Sequence, residues 1–183
     1  MDPIVTPRRN WSRADIANLL VSSSALAELK LEHALQVVRL LMPQHKAAGT
    51  VLIEEGVTST GFMALVLEGE AVVANAIPGS SESVLLSHLG PGALFGELGI
   101  LDGKPRSATV TAVTDMDIVV LDRAGLARLI ETVPPVACAL LMAIVLRVSE
   151  RLRATTRMVK ELSVANQLLR KELAAFKRPS SRA

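Results

Sequence analysis

Apolar and polar positions along this chain change rhythm twice. In the first forty or so residues, Leu26, Leu29, Ala34, Leu35, Val38 and Leu41 recur at roughly helical spacing. Ser24 stands as a possible N-cap of that stretch, and Ser12 as the N-cap of a shorter helix over Asp15–Leu20. Leu31-Glu32-His33 can divide the longer run in two, and Pro43 ends it. From Gly49 to Leu121 the pattern becomes short and β-branched. Strands are predicted over 50–53, 62–67, 71–76, 84–89, 107–112 and 118–121, separated by turns such as Glu54-Glu55-Gly56, Glu68-Gly69-Glu70 and Gly90-Pro91-Gly92. Short strands at this spacing predict a sandwich or jelly roll. After Asp122 the pattern is helical again, over 124–132 and then from Pro134-Pro135, with proline in the first turn, to Lys177 without another proline or glycine. The fold class expected is α+β, mainly β, with helices before and after the strands.

The last helix carries a second signal. Leu141, Val145, Val148, Leu152, Thr155, Val159, Leu162, Asn166, Leu169, Leu173 and Phe176 alternate in steps of four and three. That is a heptad repeat, with Val145, Leu152, Val159, Asn166 and Leu173 at a and the others at d. Valine at a with leucine at d favours a parallel two-stranded coil, and one Asn at a fixes register and dimer state. A coiled coil over 141–176 is therefore expected to make a homodimer. Glu172 and Lys177, at g and e, are placed to pair between chains.

Composition narrows the classes. Half of the 183 residues are apolar, so the chain can bury a core. Aromatics are 2%, which argues against base stacking on single-stranded nucleic acid, and a net charge of +2 does not call for a polyanion. The single cysteine, Cys138, has no internal disulfide partner, which fits a reducing compartment. The longest apolar run, residues 136–146, is too short for a bilayer, which needs about 20 residues. The expected location is cytoplasmic, without membrane contact. His33, His45 and His88 have no metal spacing, and no nucleophile or acid–base constellation is legible. Neither a metal nor an enzyme is expected.

One stretch carries chemistry: FGELGILDGKPRSATVTA, Phe95 to Ala112. It reads as strand end, one short helical turn, tight loop and strand. A helix N-terminus offers backbone N–H groups to an anion, and Arg106 adds a planar fork of donors. Ser107 and the amides around Gly96 and Ala108 can complete a phosphate shell. Glu97 would repel phosphate, so it makes sense as an acceptor for a neutral hydroxyl such as a ribose 2′-OH. Phosphate and ribose in one cradle mean a nucleotide.

GELGILDGKPRSATV closely resembles the phosphate-binding cassette of cyclic nucleotide-binding domains, the family of catabolite activator proteins and of the regulatory subunits of cyclic-AMP-dependent kinase. The resemblance implies that Glu97 holds the ribose hydroxyl and Arg106 the cyclic phosphate. It adds Gly96, Leu98, Ser107 and Ala108 to the ligand-binding set. It also implies a β-roll preceded by helices, with Gly49, Gly56 and Gly69 as turn glycines. The segment Glu150–Thr156 resembles the part of a catabolite-activator-like helix that contacts the base, which implies base contacts from Thr155 and Thr156.

The chain divides on this reading into a lead-in with helices, 1–44; a β-roll, 45–122, with the cassette at 95–110; C-terminal helices, 123–177; and a basic tail, 178–183. Those last residues are too few for a helix-turn-helix. The expectation is a stand-alone dimeric sensor of cyclic AMP, with cyclic GMP as the alternative ligand, signalling through a protein partner. Two rivals remain: an assembly module with a vestigial site, and a minimal DNA-associated regulator using the basic tail, although nucleic acid is not the expected partner.

Overall fold

The computed structural model describes residues 9–58, 61–77, 79–80 and 82–176, with the side chains of 175 and 176 outside that description. The expectations for Pro78, Ser81, Phe176 as a d residue, Lys177 and the tail 178–183 therefore fall outside it.

The first helix, α1, is Arg13–Leu20. Ser12 caps it as expected: its Oγ accepts from the Asp15 N–H, and the Asp15 carboxylate accepts from the Ser12 N–H. The longer helix expected after Ser24 does not form. Residues 21–30 are successive turns, closed by bonds such as Ala25 N–H to Ser22 O and Leu29 N–H to Leu26 O. Ala25, Leu26 and Leu29 are buried nonetheless. Their spacing records a buried face and not a helix. Helix α2, Leu31–Val37, begins where a break was expected and runs into a 3-10 turn, Val38–Leu40.

Pro43 does not end a helix. It lies inside β1, Met42–Lys46, which the sequence pattern did not reveal. A proline fits there because β1 is the edge of its sheet. The remaining strands are β2 (Val51–Ile53), β3 (Phe62–Glu68), β4 (Ala71–Ala76), β5 (Ser83–Leu89), β6 (Leu94–Phe95), β7 (Thr109–Ala112) and β8 (Met116–Asp122). They form two antiparallel four-stranded sheets, ordered β1-β8-β3-β6 and β2-β7-β4-β5. Alternate residues face inward between the sheets: Ala64 and Val66 from β3, Val110 and Ala112 from β7, Met116, Ile118 and Val120 from β8.

The two sheets differ on their outer faces. In the first, Met63, Leu65, Leu67, Val119 and Leu121 are also buried, so β3 and β8 are apolar on both sides. Helices cover that face: α1 packs on β3, and α4 (Arg123–Thr132) on β8. One buried polar pair sits in this sheet, His45 Nδ1 and Asp117 Oδ1 at 2.7 Å, across the directly opposed positions of β1 and β8. In the second sheet the edge strand β5 exposes Val84, Leu85 and Leu86, each about half accessible.

Helix α5 is Pro134–Phe176. The residues up to Ile144 form one compact unit and those from Val145 a second. Within the first unit Val136, Ala137, Leu140, Ala143 and Ile144 are buried at three- and four-residue spacing. In the second, the heptad residues Leu152, Val159, Leu162, Leu169 and Leu173 are 56–66% exposed. Among the described residues no helix is long and apolar enough to cross a membrane.

Removing core atoms tests this layering. Ile118→Ala, at the centre of the inter-sheet layer, should lower unfolding free energy by about 2–5 kcal/mol. Leu86→Ala, on the open edge strand, should change it by less than about 0.5 kcal/mol. Urea denaturation followed by circular dichroism distinguishes the two.

Candidate functional site: a buried guanidinium on a glycine-lined turn

The segment read from sequence as the site forms one continuous turn of structure. Strand β6 ends at Phe95, Gly96 turns the chain, helix α3 spans Glu97–Asp102, and a loop leads through Arg106 into β7. Gly96 has φ of +77°, and a Cβ there would lie 2.8 Å from the Phe62 carbonyl oxygen. Both the backbone conformation and the space require glycine. The sharp turn lets Glu97 open the helix pointing inward, where it is 3% exposed.

Arg106 arrives from the other side and is 7% exposed. Its backbone is clipped to the loop after β2: the Arg106 N–H donates to Val57 O at 3.1 Å, and its carbonyl accepts from Gly56 N–H at 2.9 Å. Its Nη1 donates to Gly96 O at 3.1 Å, with a longer approach of 3.5 Å to Phe62 O. The guanidinium lies over the Phe62 ring, 4.7 Å from its centroid. On its α3 side it rests against Gly99, where any Cβ would overlap Nη1. Burial holds the pKa of Arg106 below the usual value, opposed by Asp102, reinforced by Arg123 and opposed again by Glu97. An arginine stays charged regardless. The depression reports a cation stripped of water, whose environment favours a nearby anion.

Two further contacts complete the surroundings. Asn75 Nδ2 donates to the Ser107 carbonyl at 3.1 Å, tying β4 to the cassette. Arg123, at the start of α4, reaches Gly99 O through Nη2 at 3.4 Å. Ser107 and Leu98 are exposed and Ala108 is half-buried. The structure thus brings Gly96, Glu97, Leu98, Arg106, Ser107 and Ala108 together. Thr155 and Thr156 lie in the second unit, exposed, with each hydroxyl donating back to the carbonyl four residues earlier, Arg151 and Leu152, at 2.9 Å. Phe62, Asn75 and Arg123 escaped the sequence reading because each comes from a distant segment. Gly99 was inside the motif, but its role shows only once the guanidinium lies against it. Among the described residues no group of three or more His, Cys, Asp or Glu gathers as a metal site.

Residues 43–133 match the family model described as the cyclic nucleotide-binding domain. Residues 43–133 of this chain are a cyclic nucleotide-binding domain. The domain resembles that of a cyclic nucleotide-gated potassium channel from Mesorhizobium japonicum, 32% identical over 129 residues, covering 70% of this chain and 32% of the channel. Among solved structures, Thermus thermophilus catabolite activator protein matches at 27% identity with a TM-score of 0.63, covering 79% of this chain and 63% of that one. The regulatory domain of Toxoplasma gondii PKA, solved with cAMP, matches at 29% identity with a TM-score of 0.56, covering 63% of this chain and 43% of that one. The chain spans 32% of the channel's length and 48% of that of a CRP-like cAMP-activated global transcriptional regulator from Mycobacterium tuberculosis. The jelly roll with helices before and after it, expected from the cassette, is thus the fold observed.

The fit of Arg106 against α3 is testable through stability alone. Gly99→Ala places a methyl group in the guanidinium and should cost about 1–3 kcal/mol. Combined with Arg106→Ala, which empties that space, most of this penalty should vanish. A double-mutant cycle by chemical denaturation measures the coupling.

Proposed function

We propose that this chain is a sensor of cyclic AMP, working as a homodimer through α5 and handing its state to a protein partner. The observation that carries this reading is the pair of opposite charges buried in the cassette, Glu97 in the first turn of α3 and Arg106 in the loop before β7. On this reading the cyclic phosphate sits against the Arg106 guanidinium and the backbone amides of the α3 first turn, Ser107 and Ala108. Glu97 accepts from the ribose 2′-OH. A phosphate adds negative charge beside a guanidinium that burial has desolvated. Cyclic AMP is favoured over cyclic GMP by the relatives, several of which are cAMP-dependent kinase regulatory subunits. Nothing in this reading requires bond-breaking chemistry, so the protein binds and does not catalyse. A cytoplasmic location fits the lone cysteine.

The dimer rests on the exposed heptad face. Leu152, Val159, Leu162, Leu169 and Leu173 on one helix form an apolar stripe of the kind that a second copy covers. Asn166, at an a position, sets the register of such a pair. Thr155 and Thr156 lie in the same stretch, and on this reading their hydroxyls contact the base. Nucleotide binding then biases the paired helices between two arrangements, by no more than its difference in affinity for the two.

Isothermal titration of nucleotide-stripped protein with cyclic AMP and, in parallel, cyclic GMP should give one site per chain with cyclic AMP bound more tightly. Arg106→Ala should weaken binding by about 2–5 kcal/mol, because it leaves the phosphate without its charge partner in a dry site. Undiminished affinity in that variant would overturn the reading. For the dimer, sedimentation equilibrium of Leu162→Asp/Leu169→Asp should show monomers where the unaltered chain shows pairs.

A further inference from the structure

A cavity of about 600 Å3 lies in the first unit, between the lead-in to α1, the 3-10 turn and the outer face of the β1-β8-β3 sheet. It shares no residue with the cassette. Its floor is apolar, with Leu41 and Pro43 accessible and Leu67 of β3 and Val119 of β8 buried beneath them. Its rim carries three guanidinium groups, Arg9, Arg13 and Arg39, and none of its lining residues is acidic. Among the described residues none of the three arginines sits in an ion pair. The carboxylate nearest in sequence, Asp15, is already committed: hydrogen bonds from Ser12 hold its pKa low, with a smaller contribution from Arg9.

Trp11 adds a second, independent observation. It lines the cavity, its ring lies 4.8 Å from the Arg9 guanidinium, and its indole Nε1–H is buried without an acceptor among the described residues. A buried donor without a partner is costly, and native proteins rarely leave one unless a water or ligand completes it. The volume falls within the range of small-molecule sites, roughly 300–1,000 Å3, and its plan is theirs: an apolar floor with a few convergent polar groups.

We propose that this cavity binds a monoanionic amphiphile. An apolar chain lies against Leu41 and Pro43, and a carboxylate head is held by the three arginines, with the Trp11 N–H as an additional donor. Arginine forks match a carboxylate two bonds at a time, which a bare apolar cleft would not call for. This site is independent of the nucleotide reading.

Trp11 is the only tryptophan, and the chain has no tyrosine, so indole emission reports on this cavity alone. The full chain is titrated with decanoate below its micelle concentration, with decanol, with inorganic phosphate and with phosphatidylglycerol vesicles. Decanoate should give a saturable change in emission and decanol at equal concentration none. Arg13→Gln and Arg39→Gln should each weaken decanoate by about tenfold, the loss expected for a hydrogen bond to a charged group. Arg128→Gln, on the exposed side of α4, should leave it unchanged. An absent response to decanoate, an equal response to decanol, or indifference to both cavity arginines would overturn the proposal. So would a response to phosphate as large as to decanoate, which would make the site one for inorganic anions. A response to vesicles alone would also overturn it, assigning the arginines to a membrane surface.

Discussion

A charged group buried beside backbone is the constraint around which the site is built. Arg106 gives up water for contact with Gly96 O, the Phe62 ring and the bare α-carbon of Gly99. A guanidinium can be accommodated this way because its face is weakly hydrated and stacks on an aromatic ring, while its edge still donates. A lysine at the same place would keep the charge and lose both the flat packing and the fork. The surrounding residues follow from that choice: a left-handed glycine to turn the chain, a glycine in the helix to admit the plane, and a backbone ladder to Val57 and Gly56 to stop the arginine from swinging out.

The two sheets share the work unequally. In the β1-β8-β3-β6 sheet the central strands β8 and β3 are buried on both faces and carry the helices. The other sheet, β2-β7-β4-β5, delivers the end of the cassette through β7 and leaves its β5 edge to solvent. The cassette crosses between them, leaving the first sheet at β6 and entering the second at β7. The site is thereby fixed at both ends by different sheets, with its one short helix between.

Much of the cassette was legible because it is contiguous. Gly96, Glu97, Arg106 and Ser107 lie within a dozen residues, so the sequence alone groups them. The strands from β2 to β5 were legible too, since glycines at 56 and 69 mark their turns. What sequence could not supply were contacts between distant segments: Phe62 under Arg106, Asn75 on Ser107, Arg123 on Gly99. Two local readings failed for physical reasons. Leu26 and Leu29 repeat at helical spacing because one side of a turn segment is buried, which a helix would also produce. Strand β1 was hidden because Met-Pro-Gln-His-Lys has neither β-branched residues nor alternation, and its place is decided by its neighbour β8.

That last strand has a consequence for how the protein assembles. β1 brings few apolar side chains to the sheet, and its specific anchor is His45 against Asp117, 72 residues away along the chain. Slipping β1 by one position would swing the imidazole to the opposite face and part it from the buried Asp117 carboxylate, so the pair acts as a register pin. A pin set by such a distant partner has nothing to hold until β8 is in place. Pairing β1 with β8 closes that long loop, and the entropy of closing it must be met before the pair rewards it.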